Sequence, residues 1–202
     1  MKKIASSTLV GLAAVVLTAA NLSAQVCNGT APFSAGKMRV GAGVRMPDGG
    51  TFLDGEFAVG TKSGLFGGAN ISLFDPEVAG ADGSTFFGGF LGKTMMIDAK
   101  KTVEMCPQGF LMLGDDFNQF GGGVSFGKHF VQTSFDIVPF AGASIYRWDA
   151  GGFDDIDLDI TGGAGFVLSK KWTVKPFLVL PLTNDRDTMF GVMGYLNFGG
   201  TP

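Results

Sequence analysis

The chain of 202 residues has one histidine, two cysteines, two tyrosines, two tryptophans and no strong excess of either charge. Each scarcity closes off a class of function. Charged residues make up 16% and the net charge is −3, so both the self-repulsion of a disordered chain and the basic footprint of a nucleic-acid binder are missing. Nucleic acid is therefore not an expected partner. His129 is the sole imidazole, so an Asp/His or Ser/His hydrolase would have to be built around it. It stands beside Lys128 in an expected turn, and no convergent partner set accompanies it, which favours a solvated turn residue over a catalyst. The expectation is a protein without enzymatic activity, cofactor or metal. Past Ala24 no apolar run reaches the ~20 residues that a membrane-spanning helix needs.

What the chain has instead is glycine, phenylalanine and a period of two. There are 33 glycines and 20 phenylalanines. Lys2 and Lys3, the apolar run from Leu9 to Ala20 and the small-residue site Asn21-Leu-Ser-Ala24 predict a cleaved secretory signal over residues 1–24, followed by a polar arm over 25–34.

In Lys37-Met-Arg-Val-Gly-Ala-Gly-Val-Arg-Met46, one side of an extended chain carries Met38, Val40, Ala42, Val44 and Met46, and the other carries Lys37, Arg39, Gly41, Gly43 and Arg45. That alternation is a strand. Pro47-Asp-Gly-Gly50 is a turn by its fixed and positive φ angles, and Thr51 to Thr61 returns. Setting Val44 against Leu53, Ala42 against Gly55, Val40 against Phe57 and Met38 against Val59 matches apolar with apolar throughout. The other face then puts Asp54 and Glu56 diagonal to Arg45 and Arg39, within reach of long side chains. An apolar outside with a charged inside, in an exported chain without a spanning helix, leaves a closed β-barrel as the way to satisfy every backbone group in lipid.

Further segments repeat the pattern: Leu65 to Phe74, Ser84 to Gly92, Thr102 to Leu113, Phe117 to Gly127, Val131 to Trp148, a strand through Asp155-Ile-Asp-Leu-Asp-Ile-Thr161, Trp172 to Leu182 and Thr188 to Phe198. Residues 93–101 read as a longer turn. Parity favours ten strands over residues 35–198, with eight as the alternative. Pro107, Pro139 and Pro176 fall near the starts of alternate strands, a placement near one rim. Lys62, Lys93, Lys100, Lys101, Lys128, Lys170 and Lys171 sort to one set of connections, expected to be periplasmic. Asp48, Asp75, Glu77, Asp82, Asp115, Asp116, Asp149, Asp154, Asp185 and Asp187 sort to the other, expected to be external.

Cys27 and Cys106 would both lie at the periplasmic end. In an oxidising compartment they are expected to form a disulfide tying the arm to the barrel, against the alternative of two unpaired thiols. Asp155, Asp157 and Asp159 point inward if Ile156, Leu158 and Ile160 meet lipid. The run Asp154-Asp-Ile-Asp-Leu-Asp159 lacks the glycine spacing of a Ca²⁺ loop. A lumen lining neutralised by Lys37, Arg39 and Arg45 is the reading adopted.

The signal peptide, the Gly/Phe-rich alternating strands and the closing Gly194-Tyr-Leu-Asn-Phe198 make the chain similar to the small bacterial outer-membrane β-barrel proteins. The resemblance implies an all-β, closed, antiparallel, up-and-down transmembrane barrel in the outer membrane. Its implied partners are outer-membrane lipid and, during biogenesis, periplasmic chaperones and the barrel assembly machinery. One departure is the tail 199–202, which follows the terminal aromatic Phe198. The function expected is that of a monomeric structural or surface protein with a polar, largely plugged lumen. The alternatives are a narrow porin-like channel or small hydrophobic-ligand carrier, and a soluble periplasmic lipocalin-like barrel.

Overall fold

The computed structural model describes residues 26–30, 38–61, 63–77, 82–100, 102–169, 171–183 and 186–198. The expected signal peptide, Lys37 and the tail 199–202 lie outside them. The strands are β1 (Met38–Met46), β2 (Gly50–Gly60), β3 (Leu65–Pro76), β4 (Ser84–Lys93), β5 (Met95–Met96), β6 (Val103–Leu113), β7 (Phe117–Lys128), β8 (Asp136–Ala150), β9 (Phe153–Val167), β10 (Trp172–Pro181) and β11 (Met189–Phe198).

Ten of them form a ring in which each strand pairs antiparallel with its chain neighbours, β1 closes on β11 and β4 pairs directly with β6. The ten-stranded closed barrel expected from alternation and parity is the fold. The eleventh strand, β5, pairs two residues with Glu104 and Met105 beside β6 and stands outside the ring. Closure leaves no continuous unpaired edge in the ring, which is the only way a sheet avoids exposing a ladder of free donors and acceptors.

The β1–β2 register is the one that apolar matching demands, with Met38 opposite Val59, Val40 opposite Phe57, Ala42 opposite Gly55 and Val44 opposite Leu53. A shift of one residue would turn the charged face of one of the two strands outward, so the pattern specifies the pairing strongly. The outer surface is apolar around the ring, with Met38, Leu53, Phe57, Ile71, Phe87, Leu111, Phe120, Ile145, Ile156, Leu178 and Phe190 exposed. Arg39, Ser72, Glu104, Asp157, Asp159 and Tyr195 are buried. This is the reverse of a water-soluble core.

Three boundaries differ from expectation. β8 starts at Asp136 rather than Val131, because the Asp136 carboxylate accepts a hydrogen bond from Gln132 N at 3.2 Å and meets His129 Nε2 at 2.9 Å, holding a turn before the strand. The acidic stretch 149–154 is not a loop. β8 and β9, 15 residues each, carry the ladder up to Ala150 opposite Phe153, so Asp149 and Asp154 face each other across a hairpin. Asp75 and Pro76 likewise belong to β3, opposite Thr51 and Gly50.

Pro107, Pro139 and Pro176 sit inside strands, and their inward neighbours Cys106, Val138 and Lys175 put the three rings on the outer face by alternation. The β9–β10 ladder skips the pairs that Lys175 and Pro176 would make and resumes at Phe177 opposite Gly163, as expected where a proline removes a donor.

Both chain ends lie at one end of the ring, here called the terminal end. The connections there hold Lys100 and Lys171, with Lys93 and Lys128 closing the strands beside them; Asp98, Glu104 and Asp136 are the acidic exceptions. The opposite end carries Asp48, Asp75, Glu77, Asp82, Asp115, Asp116, Asp149, Asp154 and Asp187.

Candidate functional site

The terminal end of the lumen is crossed by the protein's own N-terminal segment. Val26–Asn28 form one 3-10 turn, and Cys27 is joined by a disulfide to Cys106 of β6 with a Cα separation of 5.9 Å. Phe66 and Phe90 pack on the buried cysteines. Asn28 accepts a hydrogen bond from Ser125 Oγ of β7 at 2.8 Å and donates one to Gln108 of β6 at 3.4 Å.

Gly29 follows at φ 68°, and a Cβ on it would lie 2.2 Å from the Phe140 ring of β8. Its carbonyl oxygen would lie 1.9 Å from a Cβ placed on Gly165 of β9. Two glycines are thus required where the segment touches both walls. Thr30 Oγ1 then accepts from Arg39 Nη1 of β1 at 2.8 Å. The segment passes from β6 to β1 across the ring.

Above this floor one wall is charged. Arg39 Nη2 donates to Glu56 Oε1 at 2.6 Å. Arg45 grips both oxygens of Asp54 at 2.5 and 2.8 Å, and Ser72 Oγ donates to the same carboxylate at 2.6 Å. The two arginines also stack on Tyr195 and Phe52, each 4.6 Å from the ring centre. The bidentate grip of Arg45 is the stronger geometry for a carboxylate.

Nearer the opposite end, Asp157 and Asp159 converge on Arg186 from the β10–β11 connection. Arg186 Nε lies 3.1 Å from Asp157 and Nη2 lies 2.5 Å from Asp159. Its Nη1 donates to Tyr146 Oη at 2.6 Å, and that hydroxyl donates to Asp159 at 2.8 Å. Trp148 Nε1 and Thr183 Oγ1 complete Asp157 at 2.9 and 3.1 Å. Burial works against the Arg186 cation, but Tyr146, Asp159 and Asp157 together outweigh it and hold its pKa above the usual arginine range.

The expectation that Arg39 and Arg45 neutralise the β9 aspartates is therefore corrected, and the part given to Lys37 lies outside the described residues. Arg39 and Arg45 are committed to Glu56 and Asp54, and Arg186 serves Asp157 and Asp159. Asp155 joins neither set. The β8–β9 hairpin runs beyond β10, whose pairing ends at Pro181 opposite Asp159, so Asp155 is exposed and caps Ile156 N at 2.7 Å. Asp154 points the other way and pairs with Arg147 at 2.5 Å. Among the described residues, no group of three or more His, Cys, Asp or Glu side chains is placed to hold a metal. His129, in the β7–β8 connection, and Asp136, the first residue of β8, lie at the terminal end, and no hydroxyl or thiol among the described residues is hydrogen-bonded to the pair.

The remaining wall is aromatic. Phe86 and Phe90 of β4, Phe110 of β6 and Phe117 of β7 line the lumen, with ring centres 5.3 Å apart for Phe86 and Phe117 and 6.1 Å apart for Phe110 and Tyr146. Between the two walls lies a cavity of about 940 Å³ that reaches from Asn28 to Pro47, Asp48 and Asp187. The space lies above the segment from Cys27 to Thr30, between the charged and the aromatic wall.

No family model and no curated protein matches the chain. Solved structures do: 81% of the chain aligns with 99% of a KdgM porin in complex with disordered oligogalacturonate, at 10% identity and a TM-score of 0.54. The β domain of the Bordetella autotransporter BrkA aligns over 98% of its length with 80% of this chain, at 10% identity and a TM-score of 0.51. The chain has the fold of these barrels. At such identities the likeness reaches the fold alone.

Three lumenal groups escaped the sequence reading. Arg186 lies in a connection, where no alternation assigns a direction. Tyr146 and Trp148, in phase with Phe140, were readable as the wet-tipped aromatics of β8. Lys175 was readable as the one cation in phase with Phe177, had the proline beside it not drawn attention to the backbone.

Proposed function

We propose that the protein is a bacterial outer-membrane β-barrel, exported with its signal peptide removed and inserted as a monomer by the assembly machinery and chaperones that serve such barrels. Its role is structural or surface-exposed and non-enzymatic, and its lumen is closed at the periplasmic end. The observation that carries the location is the inverted surface: exposed Met, Leu, Ile and Phe around the ring, against buried Arg39, Asp157 and Asp159 within. Strands of 9 to 15 residues in the ring are long enough for a bilayer core, which takes about 9–11 tilted residues. The terminal end becomes the periplasmic one, and the acidic mouth faces outward.

The disulfide-pinned segment from Cys27 to Thr30 supports closure. The oxidised full chain, reconstituted in a planar bilayer, is expected to show heat-modifiable gel mobility and no steady conductance. Reduction of Cys27–Cys106 is expected to produce conductance by releasing the segment. A steady through-current in the oxidised protein would sink the closed-lumen reading, and recovery of the exported protein in the soluble fraction would sink the membrane reading.

A further inference from the structure

We infer that the lumen is a binding cup for a single amphipathic monoanion, an apolar aryl or alkyl body bearing one carboxylate, with the carboxylate seated at Lys175. This deepens, and rests on, the reading of the barrel as closed at one end.

Among the described residues, Lys175 is the lumenal cation that the internal pairings leave over. Arg39, Arg45 and Arg186 each hold a carboxylate. Lys175 makes no salt bridge and no side-chain hydrogen bond among the described residues. Its Nζ stands 5.4, 5.3 and 5.2 Å from the ring centres of Phe140, Phe177 and Tyr195. Ring faces attract an ammonium, but none of the described residues offers an acceptor to its three donors. Glu56, which shares this region, is taken by Arg39. A cation on the wall of a cavity with its donors unused is a seat for an external anion.

The body of the ligand follows from the facing wall. Phe86, Phe90, Phe110 and Phe117 offer apolar faces with no hydrogen-bonding tip, so they select carbon rather than hydroxyl groups. The cavity, at about 940 Å³, falls in the usual range of roughly 300–1,000 Å³ for sites that take one small organic ligand. A single countercharge is called for, since Arg39, Arg45 and Arg186, the other described cations on the cavity wall, are already neutralised. The floor stops the ligand from passing through, so the cup retains rather than transports.

The test uses the oxidised full chain in nanodiscs, with Trp172→Phe so that Trp148 in the cavity is the reporter. The probes are 4-phenylbutyrate and its neutral counterpart 4-phenylbutanamide. The acid is expected to change Trp148 fluorescence saturably and to bind at least about tenfold tighter than the amide, as a charge-assisted contact implies. Lys175→Gln is expected to abolish that preference and Lys175→Arg to keep it. Equal affinities for acid and amide in the parent protein would overturn the proposal without any Lys175 variant. So would an unchanged ratio in Lys175→Gln, or no saturable signal from a barrel whose gel mobility is heat-modifiable. A steady through-current from the oxidised protein would instead overturn the closed-barrel reading, and the cup with it.

Discussion

Arg39 and Thr30 are hydrogen-bonded, Nη1 to Oγ1 at 2.8 Å, so the first described lumenal charge of β1 holds both the barrel wall and the segment that crosses the ring. The same guanidinium reaches Glu56 at 2.6 Å. Removing it leaves Glu56 in the lumen without that partner and takes one hydrogen bond from Thr30. Arg39→Ala is expected to cost about 3–5 kcal/mol, the range for breaking one side of a buried pair. Arg39→Lys is expected to recover only part, since an ammonium lacks the planar fork that serves two acceptors at once. Urea unfolding in lipid vesicles, followed by tryptophan fluorescence, gives both numbers.

Arg186 serves two buried carboxylates at once, and its removal is expected to be strongly non-additive with theirs. Arg186→Ala takes the countercharge from Asp157 and Asp159, whereas Arg186→Ala combined with Asp157→Asn and Asp159→Asn leaves neutral amides among Tyr146, Trp148 and Thr183. The triple variant is expected to be more stable than the single one by about 2 kcal/mol or more. Equal stabilities of the two in the same urea assay would show that the cluster is not electrostatically coupled.

These two clusters mark how far the sequence could be read. Arg39–Glu56 and Arg45–Asp54 follow from alternation plus one register, because a strand's period fixes both the face and the diagonal. The ten-strand ring and the Cys27–Cys106 bond followed from parity and compartment. The floor did not. Gly29 against Phe140 and Gly165 is a contact between an irregular segment and two distant strands, and nothing periodic announces it. Arg186 enters the lumen from a connection for the same reason. The cavity itself depends on where large and small inward residues meet across the ring, a three-dimensional sum that a strand-by-strand reading does not perform.

Asp98 organises the connection after β5. Its carboxylate accepts from Thr102 N at 2.7 Å, Thr102 Oγ1 at 2.9 Å and Val103 N at 2.8 Å. The Val103 hydrogen bond, which favours the ionised form, and those from Thr102 lower its pKa from the ordinary 3.8, with partial burial opposing them. A depressed folded value means that the local stabilisation is complete above the ordinary value and fades as pH falls through the folded one. Amide exchange at Thr102 and Val103 is therefore expected to be protected at pH 6 and to lose that excess protection in strong acid. Asp98→Asn should reproduce the acid behaviour at pH 6.

The placement of the apolar surface against lipid makes a prediction that a soluble barrel would not share. Ile71 and Asn70 are neighbours in β3, Ile71 exposed on the outer face and Asn70 lining the cavity. In a bilayer, Ile71→Lys puts an ammonium near the hydrocarbon midplane, which costs roughly 2–4 kcal/mol on a barrel's lipid face. Asn70→Lys puts the same charge into a cavity with acidic groups and is expected to change stability by less than about 1 kcal/mol. In a lipocalin-like barrel in water the outer lysine is solvated and its cost vanishes, while that of the inner one, in the same cavity, is unchanged. Unfolding free energies of the two variants in vesicles decide between the environments by their order alone. A smaller loss for Ile71→Lys than for Asn70→Lys would place the outer face in water and remove the membrane assignment.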